Sequence, residues 1–225
     1  MLFGICNFEF DKNMASIEEL RNTRIAKLES LKKSGSYPYP ARVKKTHSNS
    51  ELHEYFDTYI NSVEPIFIAG RVKSLRLNGG SAFFDVEDDT GEFQVFIKRD
   101  RIGEEKYYLF ESSADVGDFV EASWHLFKTK QDAKTLEADS VRIIVKALRP
   151  IPEEWYGLKD VEERLRHRYI DLILNKGVKE NFRARSRIIA DLRKFLAKEG
   201  FMEVETPVLV ALAGGAVAEP FKTHL

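Results

Sequence analysis

Residues 65–146 constrain this chain more than any other stretch. They hold five short segments rich in Val, Ile and Phe, at 66–75, 82–87, 93–98, 119–127 and 135–145, and such composition predicts β-strands. Asn78-Gly79-Gly80 separates the first two, and these residues suit the positive φ of a tight hairpin. Asp88-Asp89-Thr90-Gly91 marks a second turn, and a helix-like stretch at 103–112 separates the third and fourth segments. Five strands with one helix after the third is the order of an OB-fold, a partly open Greek-key barrel. Strand content alone leaves other small barrels open.

Alternation sorts the side chains of two of these segments by face. Ala82, Phe84 and Val86 share one side of the second strand, and Phe93, Val95 and Ile97 share one side of the third. If those sets fill the barrel, Phe83, Phe96, Gln94 and Lys98 lie together on the outer surface. A ring on which a base can stack, beside an amide and a cation, suits single-stranded nucleic acid. The alternative is ordinary sheet chemistry, with the rings packed under a loop. Strict alternation turns Arg76 inward unless the first strand bulges near Gly70.

The flanks read as helices. Ser16 and Glu19 make a capping box for a helix over 16–34, ended by Gly35, and Pro38 and Pro40 make an extended connection. A second helix is expected from Ser48 or Ser50 to Ile60. Pro150 and Pro152 mark a linker at 148–160. After it, Asp160 caps a helix striped by Val161, Leu165, Tyr169, Leu172 and Ile173, which Asn175-Lys176-Gly177 breaks. A second helix, 178–199, carries Ile188, Ile189, Leu192, Phe195 and Leu196 at helical spacing. Gly200 supplies its left-handed cap, and a strand is expected from Phe201. The domains predicted are therefore 1–60, a barrel at 61–147, the linker, and a second domain at 161–225. Met14 opens a more conventional start than Met1, so residues 1–13 are read as an upstream extension or a short tail.

Bulk properties exclude several classes. A net charge of −1 excludes a polybasic binder, so any nucleic-acid contact must be local. One cysteine, Cys6, excludes an internal disulfide framework and fits a reducing, cytoplasmic setting. No apolar run approaches the roughly 20 residues of a membrane helix. The five histidines show no pair at ligand spacing, so no metal site is read. The run Arg183, Arg185, Arg187 is read as a solvated helix face, and no phosphate loop or serine-nucleophile motif is present.

Residues 199–209, Glu-Gly-Phe-Met-Glu-Val-Glu-Thr-Pro-Val-Leu, and 214–224, Gly-Gly-Ala-Val-Ala-Glu-Pro-Phe-Lys-Thr-His, resemble the first signature motif of class II aminoacyl-tRNA synthetases in its lysyl form. Leu148-Arg149-Pro150-Ile151-Pro152, Arg168-Tyr169, Asp171-Leu172 and 182–186 extend the resemblance over nearly everything from Met14 onward. It implies an α+β architecture: an N-terminal helix, a five-stranded OB-fold barrel that grips the tRNA anticodon, then helices and the first strand of a truncated class II catalytic domain. Phe83 would stack on the middle anticodon base, with Gln94 and Arg76 contacting it. Gly215 and Ala216 would offer backbone to L-lysine, and Pro207 would sit at a homodimer interface.

The implied activity is lysine–tRNA ligation with ATP and Mg2+, in the cytoplasm. The family's motifs 2 and 3 lie beyond Leu225, so no catalytic residue is assigned and the 225 residues alone are expected to be inactive. Three positions depart from the pattern. The family commonly has Gly-Glu in the last hairpin, where this chain has Gln131-Asp132-Ala133-Lys134 and the nearest acid, Asp132, is shifted and shorter. Trp124 stands where a small residue is usual, and Glu219 where arginine often is. The rival readings are a non-catalytic OB-fold RNA-binding module and an aspartyl- or asparaginyl-type synthetase.

Overall fold

A computed structural model describes residues 16–151 and 160–207. The chain divides into two compact units, Met1–Pro152 and Glu153–Leu225.

The core of the first unit is five strands: β1 (Ile66–Asn78), β2 (Ser81–Glu87), β3 (Glu92–Lys98), β4 (Phe119–Lys128) and β5 (Lys134–Val145). They pair in the order β1-β2-β3-β5-β4, and β4 returns to β1, which closes the barrel. All pairings are antiparallel except β3 with β5. The alternation expected for β2 and β3 holds: Ala82, Phe84, Val86, Phe93, Val95 and Ile97 are all buried in one cluster. Excluding these side chains from water is the main drive to close the sheet.

On β1 the side chains change face part-way along. Ile66, Ile68 and Val72 point inward, but a bulge between Val72 and Ser74 shifts the parity, so Leu75 packs against the core and Arg76 turns outward opposite Phe83. The bulge lies three residues beyond Gly70. Gly70 serves a different purpose: a Cβ there would stand 2.3 Å from the Glu87 carbonyl oxygen, so only glycine lets β1 cross β2 at that point.

Helices close the ends of the barrel. The capping box at Ser16 and Glu19 starts α1 (Ile17–Lys33), whose Leu28 and Leu31 are buried. Ion contacts hold α1 in place. Lys27 reaches Asp115 at 2.7 Å, and the Arg24 guanidinium donates to the Val116, Ala147 and Arg149 carbonyls. The helix expected over 48–60 is two short ones, α2 (Asn49–Glu54) and α3 (Phe56–Tyr59), broken at Tyr55. Tertiary contacts set the break, since Asn49 must donate to the Val86 and Gly91 carbonyls while Phe56 is fully buried in the core. After β3 come α4 (Arg99–Ile102) and α5 (Glu104–Ser113), the helical interlude.

In the second unit, the single helix expected after Asp160 is also broken. It forms α6 (Val161–Arg166) and α7 (Arg168–Leu174), with His167 between them at φ −112°, ψ 49°. Asp171 explains this. Its fully buried carboxylate accepts from Arg164, Arg168 and Asn175. Arg164 and Asp171 lie seven residues apart, two turns in a straight helix, and the break brings them to 2.8 Å.

Asn175-Lys176-Gly177 ends α7 but does not delay the next helix. α8 (Lys176–Lys198) starts at once and includes Gly177. Gly200, at φ +87°, ends it, with the Phe201 N–H on the Leu196 carbonyl. The strand expected from Phe201 does not form within the described residues, where 201–207 are exposed and irregular. A strand exists only with a hydrogen-bonding neighbour, and the described residues of this unit contain none.

Candidate nucleic-acid interface

Two rows of residues cross the outer face of the barrel. In one, register places Arg76 opposite Phe83 and Phe83 opposite Phe96. In the other, Gln94 lies beside Thr135, and Thr135 opposite Phe127. The Phe83 and Phe96 rings are 4.5 Å apart at 34°, and Phe96 is 5.8 Å from Phe127. The three half-buried rings form a continuous strip beside a recess of about 510 Å³.

The recess is bounded by Arg76, Asn78 and the hairpin after β4. That hairpin is fixed from within. The Thr129 N–H donates to the Ala133 carbonyl, the Asp132 N–H to the Thr129 carbonyl, and the Ala133 N–H to Thr129 Oγ1. Asp132 takes a left-handed φ of +60°, and its carboxylate lies 3.6 Å from Lys128 Nζ. It does not line the recess, whereas Thr129, Lys130, Gln131 and Ala133 do.

The charge of the recess is one-sided. Its lining includes two cations, Arg76 and Lys130, and no carboxylate. The Thr135 hydroxyl lies 2.9 Å from Gln94 Oε1 and 3.2 Å from the Ala133 carbonyl; with its one proton on the shorter contact, the amide N–H groups of Gln94 face a ligand. The wall therefore offers π-faces for stacking and donors for carbonyl oxygens or phosphates, with the oxygens of Asn78, Thr129 and Gln131 as neutral acceptors. That is the chemistry by which proteins hold unstacked bases.

The structure brings Arg76, Phe83 and Gln94 together here. Lys98, expected on the same face, is exposed, pairs with Asp100 at 3.3 Å and does not line the recess. Sequence reasoning missed Phe127 as a third ring. Its signal was the inward Leu126 beside it on a strand that reaches Phe96 only through β5. Pro207 is exposed on the irregular segment after α8. Gly215 and Ala216, and with them the expected lysine contacts, lie outside the described residues. Among the described residues, no group of three His, Cys, Asp or Glu could hold a metal ion.

Comparison with known proteins fits both parts of the chain. Residues 66–144 match the OB-fold nucleic acid binding domain, and residues 160–225 match the class II tRNA synthetases for D, K and N. The chain thus joins a segment similar to nucleic-acid-binding OB-folds to one similar to class II tRNA synthetases. Among curated relatives, the lysine–tRNA ligase of Carboxydothermus hydrogenoformans is 41% identical over 92% of this chain and 42% of its own length. That of Thermotoga maritima is 40% identical over 93% of this chain and 42% of its own, and that of Enterococcus faecalis 38% over 95% and 44%. The chain resembles the lysyl enzymes of class II, and it spans less than half the length of these relatives.

Proposed function

We propose that this chain supplies the anticodon-binding domain and the opening catalytic segment of a lysine–tRNA ligase. The observation that carries the reading is the recess at Arg76, Phe83 and Gln94, rich in donors and free of carboxylates, in a chain 41% identical to a lysine–tRNA ligase. The middle anticodon base stacks on Phe83. Its carbonyl oxygens accept from the Gln94 amide and the Arg76 guanidinium, which suits uracil, the middle base of lysine anticodons. A base presenting an amino group to Gln94 and Arg76 loses those two bonds.

In the whole enzyme, lysine and ATP react to lysyl-adenylate and pyrophosphate, and the lysyl group then passes to the terminal ribose of tRNA. Gly215 and Ala216 contribute backbone to the lysine pocket. ATP and Mg2+ supply the activation. The described residues contain no cluster suited to Mg2+, and no step is assigned to them. The 61–147 barrel and the 161–225 segment act as separate domains joined by the 148–160 linker, the second forming a homodimer through α8 and Pro207. A cytoplasmic location follows from the substrate, and no described helix is long and apolar enough to cross a membrane.

Binding of anticodon stem-loop transcripts tests the proposal. A lysine stem-loop should bind more tightly than one with its middle U changed to C, and Phe83→Ala should remove that preference. Equal affinity for all anticodons would favour a generic RNA-binding module instead.

A further inference from the structure

On the barrel wall away from the stacking rings, part of β5 lacks a strand neighbour on one side. Its parallel pairing with β3 ends at Ala138, so beyond that point β5 pairs only with β4. The direction of the remaining backbone groups follows from the ladders. Both backbone groups of Phe67 engage Thr46, with the N–H on Thr46 Oγ1 and the carbonyl accepting from the Thr46 N–H, on the side of β1 away from β4.

By alternation, Ile68 and Gly70 bond to β4 at Ala122 and Val120, which turns Glu121 and Ser123 toward β5. Those residues face Arg142 and Ser140. Val141 and Ile143 therefore aim their N–H and C=O groups away from β4. Among the described residues, no hydrogen bond from outside the ladders reaches these four backbone groups; the neighbouring contact, Tyr39 N–H to the Ile144 carbonyl, lies just past them.

This edge borders a cavity of about 230 Å³ between α1, α5 and β5. Buried Leu31, Phe110 and Ile143 form its apolar floor. Its lining contains no carboxylate. It includes the exposed Lys106, whose ammonium has no partner among the described residues, and Arg142, already held by Glu121 through two bonds at 2.8 and 2.9 Å.

We propose that this edge is a peptide-docking site. An extended segment of a partner protein adds as a strand along Val141–Ile143, a large aliphatic side chain enters the cavity, and a neighbouring acidic residue meets Lys106. Backbone groups with no partner in the described residues suit an extended chain, because another backbone supplies donors and acceptors at strand spacing. The floor calls for Leu or Ile, and the unpaired ammonium for Asp or Glu. The site is separate from the anticodon recess, so the proposal does not depend on that reading.

The test uses the full chain and a labelled, acetylated hexapeptide that alternates leucine and glutamate, followed by fluorescence anisotropy and amide NMR. Saturable binding is expected, with the largest shifts at the Val141 and Ile143 amides. Lys106→Glu, an exposed change with no packing cost, should weaken binding roughly fivefold, the upper end for an exposed ion pair. Methylating alternate peptide nitrogens should abolish binding by removing the donors. Binding unaffected by methylation, or shifts elsewhere on the barrel, would overturn the proposal. So would no binding at millimolar peptide. Val141 and Ile143 amides already protected from exchange without peptide would also overturn it, because a second copy or this chain's own residues would then occupy the edge.

Discussion

Replacing Phe83 with alanine removes the ring on which the proposed binding mode depends, and the structure limits the effect. One side of the Phe83 ring packs on Phe96 with centroids 4.5 Å apart, so only its free side can take a base. A single base–ring stack is worth about 1–3 kcal/mol, or roughly 5- to 150-fold in Kd. The loss of the ring pair costs folding about 0.5–1.5 kcal/mol. The barrel should survive this, because its interior is built from Phe84, Val95 and their neighbours on the opposite face. Filter binding of a lysine anticodon stem-loop, at fixed ionic strength, reads the change. Salt must be held constant because phosphate contacts respond steeply to it. The salt slope itself should not move, since Phe83 carries no charge, while Phe83→Leu should fall between parent and alanine. A folded Phe83→Ala protein binding within twofold of the parent would refute the stacking role.

Three other outcomes follow from the geometry. Gly70→Ala should cost about 3 kcal/mol or more in urea denaturation, because the new methyl group meets backbone, which cannot swing away as a side chain would. Asp88 should make stability depend on pH at the acid end. Burial alone would raise its pKa, but hydrogen bonds from Lys45, Thr90 and Asn49 outweigh this and lower it to about 2. Its contribution is therefore complete above its ordinary pKa of 3.8 and is lost as pH falls through about 2. Asp88→Asn should destabilise by about 2 kcal/mol at pH 7 and hardly at all at pH 2, measured by thermal melts across that window. For the proposed homodimer, Leu192→Asp in the full-length enzyme should shift sedimentation toward monomer, since this exposed residue lies on the apolar stripe of α8; an unchanged dimer would place the interface elsewhere.

Local rules made much of the barrel legible. The capping box at Ser16, the Asn-Gly-Gly hairpin and the period-two pattern of β2 and β3 each act within a few residues, and each appears in the structure. The helix breaks at Tyr55 and His167 were not legible. They answer to distant partners, the Val86 and Gly91 carbonyls in one case and the buried Asp171 carboxylate in the other. The strand expected at Phe201 is absent from the described residues for a related reason: β-propensity describes a segment, while a strand requires a second segment beside it.

The outward ring of Phe83 and the amide of Gln94 were set by the sequence, since alternation puts them opposite a core that water expels. Tertiary structure alone decided that they would meet Arg76 and Phe127. A bulge after Val72 rotates Arg76 to the outer face, and the parallel step from β3 to β5 carries Phe127 to within reach of Phe96. Both depend on how strands distant in the chain register against one another, and no local periodicity contains that information.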